Sequence, residues 1–352
     1  MTKPIAITMG DPAGIGPEIV AKVFLDFPAL ARGCFVAGDV ETLRRAARCI
    51  AGPASVPLPV ALLTRPDEAW DVPPRCIPVL QVTHAACAIA LGVVSGAAGR
   101  MAGDCVVWAA DAALRGELAA MVTAPLHKES LAAAGPPYGR FPGHTEMLQH
   151  RAAVAANVPL AELPVRMMLA NDMLRTVLVS IHVSLREAID AVTRANVLQT
   201  LQITDKALQS LLGRRPRMAV AGLNPHAGEG GLFGREEIDA ITPAIEAARA
   251  SGMDVSGPIA PDTVFMRARS QHGAPGEWDV VVAMYHDQGL IPVKYLGVDT
   301  GVNVTLGLPL VRTSPDHGTA FDIAGSGRAD PASLVQAIRM ARTLAAVPTP
   351  DA

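Results

Sequence analysis

The sequence predicts an α/β protein whose sheet is largely parallel. Short apolar runs of strand length alternate with longer segments in which apolar residues recur at helical spacing. This alternation is typical of layered α/β folds. The pair Asn171-Asp172 between two apolar runs predicts a hairpin, so we expect part of the sheet to be antiparallel. Half of the 352 residues are apolar, which is enough to bury a sizeable core and excludes general disorder.

The individual elements follow from these patterns. In the third predicted helix, Ile238, Ile241 and Ile245 fall on one face, and Gly252 suits its C-terminal cap. Six apolar runs predict buried strands, at Ile5–Met9, Ala119–Ala124, Val165–Ala170, Thr176–Ile181, Met218–Leu223 and Val280–Met284. Four segments predict helices, at Ala13–Phe27, Leu185–Leu212, Glu236–Ser251 and Pro331–Ala346.

Two stretches rich in proline and glycine interrupt this pattern. We expect Ala51–Arg75 to be irregular and exposed at the surface. The segment Gly135–Gly143 is a second break, where the chain is expected to cross between domains.

Composition limits the classes of function. The net charge of −3 argues against nucleic acid as the main partner, although a local basic pocket for a small anion stays possible. Neither a secretory signal nor an apolar stretch long enough to span a bilayer is evident, so no membrane association is expected. The cysteines are odd in number and form no C-x-x-C pair, which favours the reduced cytoplasm over a disulfide framework or a thiolate metal site. They are Cys34, Cys49, Cys76, Cys87 and Cys105.

Three of the nine histidines share one context. His182, His226 and His286 each lie at or just after the carboxyl end of a predicted buried strand. In open α/β sheets these ends form the crevice where ligands bind, and three imidazoles gathered there could hold a divalent metal. Each histidine alone is more often a turn or capping residue. Asp262 and Asp287 could orient the imidazole N–H groups, or could be ordinary turn residues.

Two glycine-rich loops follow predicted strands, but neither has the spacing of a nucleotide-binding loop. In "GEGGLFG", Gly228 and Gly230 fit G-x-G-x-x-G and Phe233 occupies the third glycine position. "MGDPAGIGPEIV" has Gly14 and Gly16 followed by Glu18 and also misses the spacing, and G-x-x-x-x-G-K-[ST] does not occur. A Rossmann site and a P-loop are therefore disfavoured, and both loops are interpreted as tight turns that require positive φ.

Six motifs in order along the chain resemble the 4-hydroxythreonine-4-phosphate dehydrogenase family. The resemblance implies the fold of the isocitrate and isopropylmalate dehydrogenases: two α/β/α domains with a cleft between them, and not a Rossmann fold. We expect one domain at residues 1–140, completed by 305–352, and a second at 141–304 that carries most metal and substrate residues and the dimer interface. The motifs are "GDPAGIGPE" (10–18), "GHTE" (143–146), "GLNPHAGEGG" (222–231), "AMYHDQG" (283–289), "GVNVTLGLP" (301–309) and "VRTSPDHGTAFDIAG" (311–325).

The resemblance also implies a metal site and a substrate site. The family's three metal-binding histidines match His182, His226 and His286, at a site shared across a homodimer interface. The metal is expected to be zinc, with magnesium, cobalt or manganese as alternatives. A small phosphorylated hydroxy acid has two anionic ends, which suits lysine and arginine contacts. The substrate contacts carried over from the family are His144, Thr145, Lys294, Asn303 and Arg312.

A third implication concerns the coenzyme. "HGTAFDIAG" is similar to the superfamily's coenzyme loop, and an acidic residue followed by isoleucine is the pattern of its NAD-using members. Asp322 and Ile323 match that pattern, and a carboxylate can accept from ribose hydroxyls but repels a 2′-phosphate. His317 and Gly318 belong to the same loop. NAD is therefore the expected coenzyme.

The implied reaction is oxidation of 4-hydroxythreonine 4-phosphate to a 3-oxo acid. Loss of CO2 would then give 3-amino-2-oxopropyl phosphate, for pyridoxal 5′-phosphate synthesis. The catalytic base is expected to be Lys294 or a water held by Asp287.

Three alternatives remain beside this reading. Pro142 in "FPGHT" departs from the family's usual F-T-G-H-T. The stretches "PDTVF" and "AFDIAG" resemble a branch of the family that oxidises threonate or erythronate 4-phosphate in sugar-acid catabolism. A nonenzymatic metabolite-binding protein is a more distant alternative. A phosphoacyl transferase is less favoured still, because it would have no use for the histidines or for Asp322.

Overall fold

The computed structural model describes residues 2–51, 55–84, 88–271, 273–297 and 299–346. The chain divides into two compact units. Unit 1 comprises Met1–Pro164 and Leu308–Ala352, and unit 2 comprises Val165–Gly307. Within the described residues no helix combines the length and the apolar character that crossing a bilayer requires. Four cysteines are free thiols, and Cys87 lies outside the described residues.

Unit 1 contains a six-stranded sheet in which all neighbouring strands are parallel. Its order is β3-β4-β2-β1-β5-β12. Numbered along the chain this is 3-4-2-1-5-6, which differs from the Rossmann order. The strands are β1 (Ile5–Thr8), β2 (Cys34–Gly38), β3 (Val60–Leu63), β4 (Ile77–Gln81), β5 (Ala120–Thr123) and β12 (Arg312–Pro315). The helices are α1 (Gly16–Asp26), α2 (Pro28–Ala31), α3 (Val40–Ala51), α4 (Gly96–Leu114), α5 (Lys128–Ala133), α6 (His144–Ala156) and α12 (Ala332–Leu344).

The parallel sheet explains the apolar runs of unit 1. Parallel strands are covered on both faces, so they read as continuous apolar segments rather than as alternating ones. Every residue of β1, β2 and β5 is buried. Phe35 of β2 packs edge-on against Trp108 of α4, with ring centroids 6.0 Å apart. Met147 and Leu148 of α6 join the same core.

Unit 2 contains a mixed sheet in the order β11-β6-β7-β10-β8-β9. Strand β6 is antiparallel to both β7 and β11, and the remaining pairs are parallel. The strands are β6 (Arg166–Ala170), β7 (Arg175–Leu178), β8 (Arg217–Ala221), β9 (Asp254–Ile259), β10 (Val280–Ala283) and β11 (Val302–Leu306). The helices are α7 (Leu185–Asp190), α8 (Arg194–Leu212), α9 (Thr242–Ala250), α10 (Pro261–Ala268) and α11 (His286–Gly297).

The α/β class and the hairpin at Asn171-Asp172 are confirmed. Asn171 holds that turn, because its side-chain oxygen accepts from the backbone N–H groups of Met173 and Leu174 at 2.9 Å each. All six predicted strands exist, each a residue or more shorter than predicted. Gly252 has the left-handed φ of +84° that a C-terminal cap requires.

Two predicted helices are interrupted. The segment Leu185–Leu212 forms α7 and α8, because Thr193 caps a second helix by accepting from the Asn196 N–H. The segment Glu236–Ser251 begins with a π-helical turn, Glu237–Ile241, and continues as α9 with Pro243 in its first turn.

Two further expectations differ from the structure. The stretch 51–75 was expected to be irregular, but it contains β3 and a 3₁₀ turn at Pro66–Trp70, because β3 pairs with β4 as an edge strand. Residues 141–164, expected in the second domain, belong to unit 1, since α6 packs against α4 and joins that core. The break at 135–143 is therefore internal to unit 1.

Candidate active site

Two of the three predicted metal histidines lie together in unit 2. His182 follows β7 and His286 begins α11 directly after β10, and these two strands are parallel neighbours. The Ser180 hydroxyl donates to the Met284 carbonyl at 3.0 Å, which fixes the two strand ends side by side. The imidazole centroids of His182 and His286 are consequently 5.6 Å apart.

Asp287 orients one of these rings. His286 Nδ1 lies 2.7 Å from Asp287 Oδ1, an arrangement that favours a proton on Nδ1 and leaves Nε2 free to bind a cation. Asp262 and Asp287 line one shallow depression of about 470 Å³, together with Tyr285 and Gln288. The carboxylate that contacts His286 is thus that of Asp287, and Asp262 lies nearby on α10.

His226 lies in a loop of unusual backbone conformation. The four residues from Ala227 to Gly230, and His226 itself, all have left-handed φ, between +42° and +81°. Such a run is costly for residues that carry a Cβ. The predicted positive φ is therefore confirmed for the glycines of this loop, and it extends to His226, Ala227 and Glu229. In the loop after β1 the prediction is wrong for Gly14 and Gly16, since only Gly10 has a positive φ there. The His226 ring lies 6.2 Å from that of Phe233.

Glu237 holds this loop in place. It is buried, and its Oε1 accepts from the backbone N–H groups of Leu223 and Asn224 at 2.7 and 2.8 Å. Its Oε2 accepts from the Asn224 side chain at 2.9 Å. A Cβ on Gly228 would come within 2.7 Å of the same carboxylate, so glycine is needed there for close packing. Motif reading missed Glu237, although a glutamate that begins the following helix is a recognisable signal for loop N–H groups.

The structure does not bring all three histidines together within one chain. Among the described residues, no three side chains of the types His, Cys, Asp and Glu are grouped so that they could hold an ion. The pair His182 and His286, with Asp287 behind it, fits half of a metal site, because imidazoles with a carboxylate behind them are normal ligands for zinc and related ions. A shared site between subunits therefore remains a prediction.

Two of the predicted substrate residues, Lys294 and Asn303, lie in unit 2. Lys294 is exposed on α11, seven residues after Asp287, so both project from one face of the helix. Asn303 lies in β11 opposite Leu169, and its Oδ1 is buried without a hydrogen-bond partner within the described residues. A buried unpaired amide oxygen needs a donor, and a ligand could supply it.

Unit 1 contains the remaining three substrate candidates. Arg312 is buried, and its Nε and Nη2 donate to Thr123 Oγ1 at 3.1 and 2.7 Å. His144 and Thr145 begin α6 after Gly143. Burial, and then the Arg312 cation, holds the pKa of His144 well below its ordinary value, so its ring stays neutral. His144 Nε2 is shielded from solvent and unpaired among the described groups.

The charges around His144 and Arg312 favour binding of an anion. Burial lowers the pKa of Arg312 to about 10, with Glu146 acting in the opposite direction, so the guanidinium keeps its charge near neutral pH. A buried cation beside a neutral imidazole is a suitable place for a carboxylate or a phosphate.

The predicted coenzyme loop packs on the first motif of the chain. The Ile15 N–H donates to the Thr319 carbonyl at 3.0 Å, and a Cβ on Gly14 would collide with Thr319. Asp322 and Ile323 lie in a 3₁₀ turn after Ala320, which has a left-handed φ of +41°. His317 and Gly318 begin the loop, and His317 Nδ1 lies 3.0 Å from the Gly318 carbonyl.

Glu18 fixes the far end of the coenzyme loop. This carboxylate is buried in α1 and accepts from the backbone N–H groups of Gly325 and Gly327, the latter at 3.0 Å. The loop is thus held at both ends by residues of "GIGPE". An exposed carboxylate at Asp322 on a fixed loop fits a ribose, and no residue of the loop supplies a cation for a 2′-phosphate.

One residue near this loop was missed by motif reading. The His127 ring stacks on Phe321 of the coenzyme loop, with centroids 4.6 Å apart and planes inclined by 21°. His127 follows β5, so the strand-end criterion applied to the other histidines also selects it.

Comparisons with known proteins agree with these features. Residues 31–341 match the family model described as pyridoxal phosphate biosynthetic protein PdxA. The 4-hydroxythreonine-4-phosphate dehydrogenase of Beijerinckia indica is 49% identical, over 99% of this chain and 96% of that protein. The D-threonate 4-phosphate dehydrogenase of Pectobacterium atrosepticum is 43% identical, over 98% of this chain and 100% of that protein.

A solved structure gives the same result. The crystal structure of 4-hydroxythreonine-4-phosphate dehydrogenase from Klebsiella pneumoniae aligns with a TM-score of 0.83 and 41% identity, over 98% of this chain and 100% of that one. The family model covers most of the chain, and the relatives match it nearly end to end. The chain therefore belongs to the pyridoxal phosphate biosynthetic protein PdxA family.

Proposed function

We propose that this protein is a dehydrogenase that oxidises the secondary alcohol of 4-hydroxythreonine 4-phosphate with NAD, in the cytoplasm, and that the 3-oxo acid then loses CO2. The observation that carries the proposal is the full-length similarity to enzymes of that name, joined to an intact set of polar candidate residues. The product, 3-amino-2-oxopropyl phosphate, would supply pyridoxal 5′-phosphate synthesis.

The chain's own groups suit a phosphorylated hydroxy acid. Arg312, buried and charged, would bind one anionic end of the substrate, with His144 and Thr145 beside it. Asn303 offers an unpaired buried oxygen to a substrate donor. Lys294 or a water held by Asp287 would receive the proton of the substrate hydroxyl.

Two groups absent from the chain complete the chemistry. His182, His226 and His286 would hold a divalent cation, with zinc favoured over magnesium, cobalt or manganese, and the coenzyme loop from His317 to Ile323 would hold NAD. When bound, the cation would lower the pKa of the substrate hydroxyl and the coenzyme would accept hydride.

The proposal includes a homodimer with the active site at its interface, and exposed apolar side chains support it. Each of the three histidines is followed by strongly exposed apolar side chains, which favour contact with a second subunit over contact with water. They are Val183 and Leu185 after His182, Leu232 and Phe233 after His226, and Ile291 and Tyr295 after His286.

The second candidate substrate is threonate 4-phosphate. A relative of that name is 43% identical over 98% of this chain, and Pro142 departs from the usual family motif. The two substrates differ in an amino or hydroxyl group and share both anionic ends, so Arg312 and Lys294 would serve either one.

The deciding experiment measures NADH formation by the purified full chain with each phosphorylated acid, with and without added Zn²⁺. We expect 4-hydroxythreonine 4-phosphate to give the higher kcat/KM and chelation of the metal to stop turnover. A higher kcat/KM with threonate 4-phosphate would transfer the assignment to the second candidate.

A histidine variant tests the metal site in the same assay. His226→Ala should abolish turnover and leave the circular dichroism spectrum unchanged, whereas His84→Ala, an exposed histidine of unit 1, should retain the rate. Near-normal turnover by His226→Ala, or by the metal-free enzyme, would contradict the mechanism.

A further inference from the structure

A partly enclosed cavity of about 570 Å³ opens on unit 1. Cys34 begins β2 and Cys76 directly precedes β4, so the cavity lies at the amino ends of these parallel strands. His127 and the coenzyme loop follow the carboxyl ends of β5 and β12. Within unit 1 the cavity is therefore at the opposite end of the parallel strands from His127 and the coenzyme loop, and its volume is in the range of small-molecule sites.

The walls of the cavity are mainly apolar and include two aromatic and four proline side chains. The two cysteines add to the apolar surface, since burial raises the pKa of the Cys34 thiol to about 11 and keeps it neutral. The Trp70 ring lies against Gly33, where any Cβ would come within 2.4 Å of the ring. The other wall residues include Phe24, Pro28, Val72, Pro73 and Pro78.

One polar group of the wall lacks a partner. Trp70 Nε1 is shielded from solvent, and within the described part of the chain it donates to no acceptor. A buried indole N–H normally finds an acceptor, so an unpaired one in the wall of this cavity is unusual.

Two arginines, Arg32 and Arg75, complete the lining of the cavity. Both are exposed, and neither forms an ion pair with any residue that the structure describes. Their backbones are fixed. The buried Arg342 donates to the carbonyl of Arg32, and Arg75 has a left-handed φ of +59°. A left-handed φ in a residue with a Cβ costs about 1 kcal/mol and recurs at ligand-binding sites.

We propose that this cavity binds an aromatic carboxylate, with its ring between Trp70 and the proline wall and its carboxylate at Arg32 and Arg75. The aromatic body matches the apolar walls, and the charge matches two cations that no described side chain neutralises. A neutral aromatic molecule would leave the charges of the two arginines without a counterion. A small inorganic anion would leave the apolar walls in contact with water. The inference is independent of the dehydrogenase reaction.

Calorimetric titration of the full chain with 2-naphthoate tests the charge requirement. We expect binding tighter than about 1 mM for 2-naphthoate, and much weaker binding of the neutral 2-naphthamide and of acetate. Arg32→Gln and Arg75→Gln should each weaken 2-naphthoate binding about threefold, as expected for exposed charge pairs. Arg48→Gln, an exposed arginine of α3 outside the cavity, should not change it.

The tryptophan indole N–H resonances test the location. The chain has three tryptophans, so the resonance missing from Trp70→Phe identifies Trp70, and 2-naphthoate should shift it and leave those of Trp108 and Trp278 unchanged. Equal affinity for naphthoate and naphthamide in all variants, an unmoved Trp70 resonance, or no binding tighter than about 1 mM would each overturn the proposal.

Discussion

Two buried glutamates, Glu18 and Glu237, position the loops of the candidate active site through backbone N–H groups. Glu18 accepts from the segment after the coenzyme loop, and Glu237 accepts from the loop of His226. A charged acceptor that bonds two N–H groups contributes more than a neutral one, and its loss leaves buried donors unpaired. Both are positioning residues.

The first prediction concerns Glu18. Glu18→Gln removes the charge and one of the two acceptors, so the coenzyme loop should be less well ordered before NAD binds. We expect the KM for NAD to rise about tenfold, with kcat at saturating NAD and the KM for the phosphorylated acid nearly unchanged. Glu41→Gln, on the exposed face of α3, serves as control. A Glu18→Gln enzyme with the original KM for NAD would contradict this role.

The second prediction concerns Asp279, which joins the starts of β8 and β10. Burial opposes its ionisation, but hydrogen bonds from Arg214 and Arg217 outweigh burial and hold the pKa of Asp279 far below its ordinary value. A depressed carboxyl pKa contributes stability that is fully present above the unfolded pKa of about 4 and is lost as pH falls toward the folded pKa.

Asp279→Asn should therefore lower the free energy of unfolding by roughly 2 kcal/mol at pH 7, measured by urea denaturation. The difference from the original chain should shrink as pH falls below about 4. Asp239→Asn, which breaks an exposed pair with Arg235, should change stability by less than about 0.5 kcal/mol. A pH-independent difference would show that the ion pairs of Asp279 are not its source.

At the scale of elements, strand ends and the loop after β8 decide where chemistry is possible. Because β7 and β10 are parallel neighbours, the residues that follow them meet, and His182 and His286 become a pair. The loop after β8 differs, because its left-handed run turns the chain sharply before α9. Gln288 links the two regions by accepting from the Met284 N–H and donating to the Gly222 carbonyl, each at 2.7 Å.

The third prediction uses two glycines of this loop. Gly228 and Gly230 both have positive φ, but a Cβ on Gly228 would collide with Glu237, whereas a Cβ on Gly230 has open space. Gly228→Ala should displace the His226 loop and weaken Zn²⁺ binding about tenfold, measured by calorimetry. Gly230→Ala, which has only the backbone cost, should stay within about threefold. Equal effects of the two substitutions would refute the packing argument.

At the scale of the whole molecule, exposed apolar side chains of unit 2 favour self-association. Leu232 is 73% exposed, and Val183 and Leu185 are at least half exposed. Apolar groups concentrated around predicted metal ligands are typical of an interface that contains the site.

The fourth prediction tests that interface. Leu232→Asp places a charge where contact with a second subunit is expected, so it should convert dimer to monomer in sedimentation analysis and reduce turnover with it. Val56→Asp is the control, because Val56 is 93% exposed and belongs to unit 1, whereas these histidines belong to unit 2. A monomeric original chain with full activity would exclude the shared site.

Much of the architecture could be predicted because local patterns have a local cause. Apolar runs became buried strands, and Asn171 formed its turn through its own side chain. The edge strand β3 and the split of Leu185–Leu212 were missed, since edge pairing and the Thr193 cap depend on neighbours that periodicity does not report. The position of α6 in unit 1 was missed for the same reason, because its packing against α4 is a contact between distant parts of the chain.

The sequence by itself determined the α/β class, the family and the identity of the candidate site residues, because short motifs and hydrophobic periodicity are properties of neighbouring residues. The tertiary structure decided which of those residues meet. It paired His182 with His286, kept His226 in a loop held by Glu237, and placed neutral His144 beside buried Arg312. Such pairings depend on strand order and burial, which arise only when segments far apart in the chain pack together.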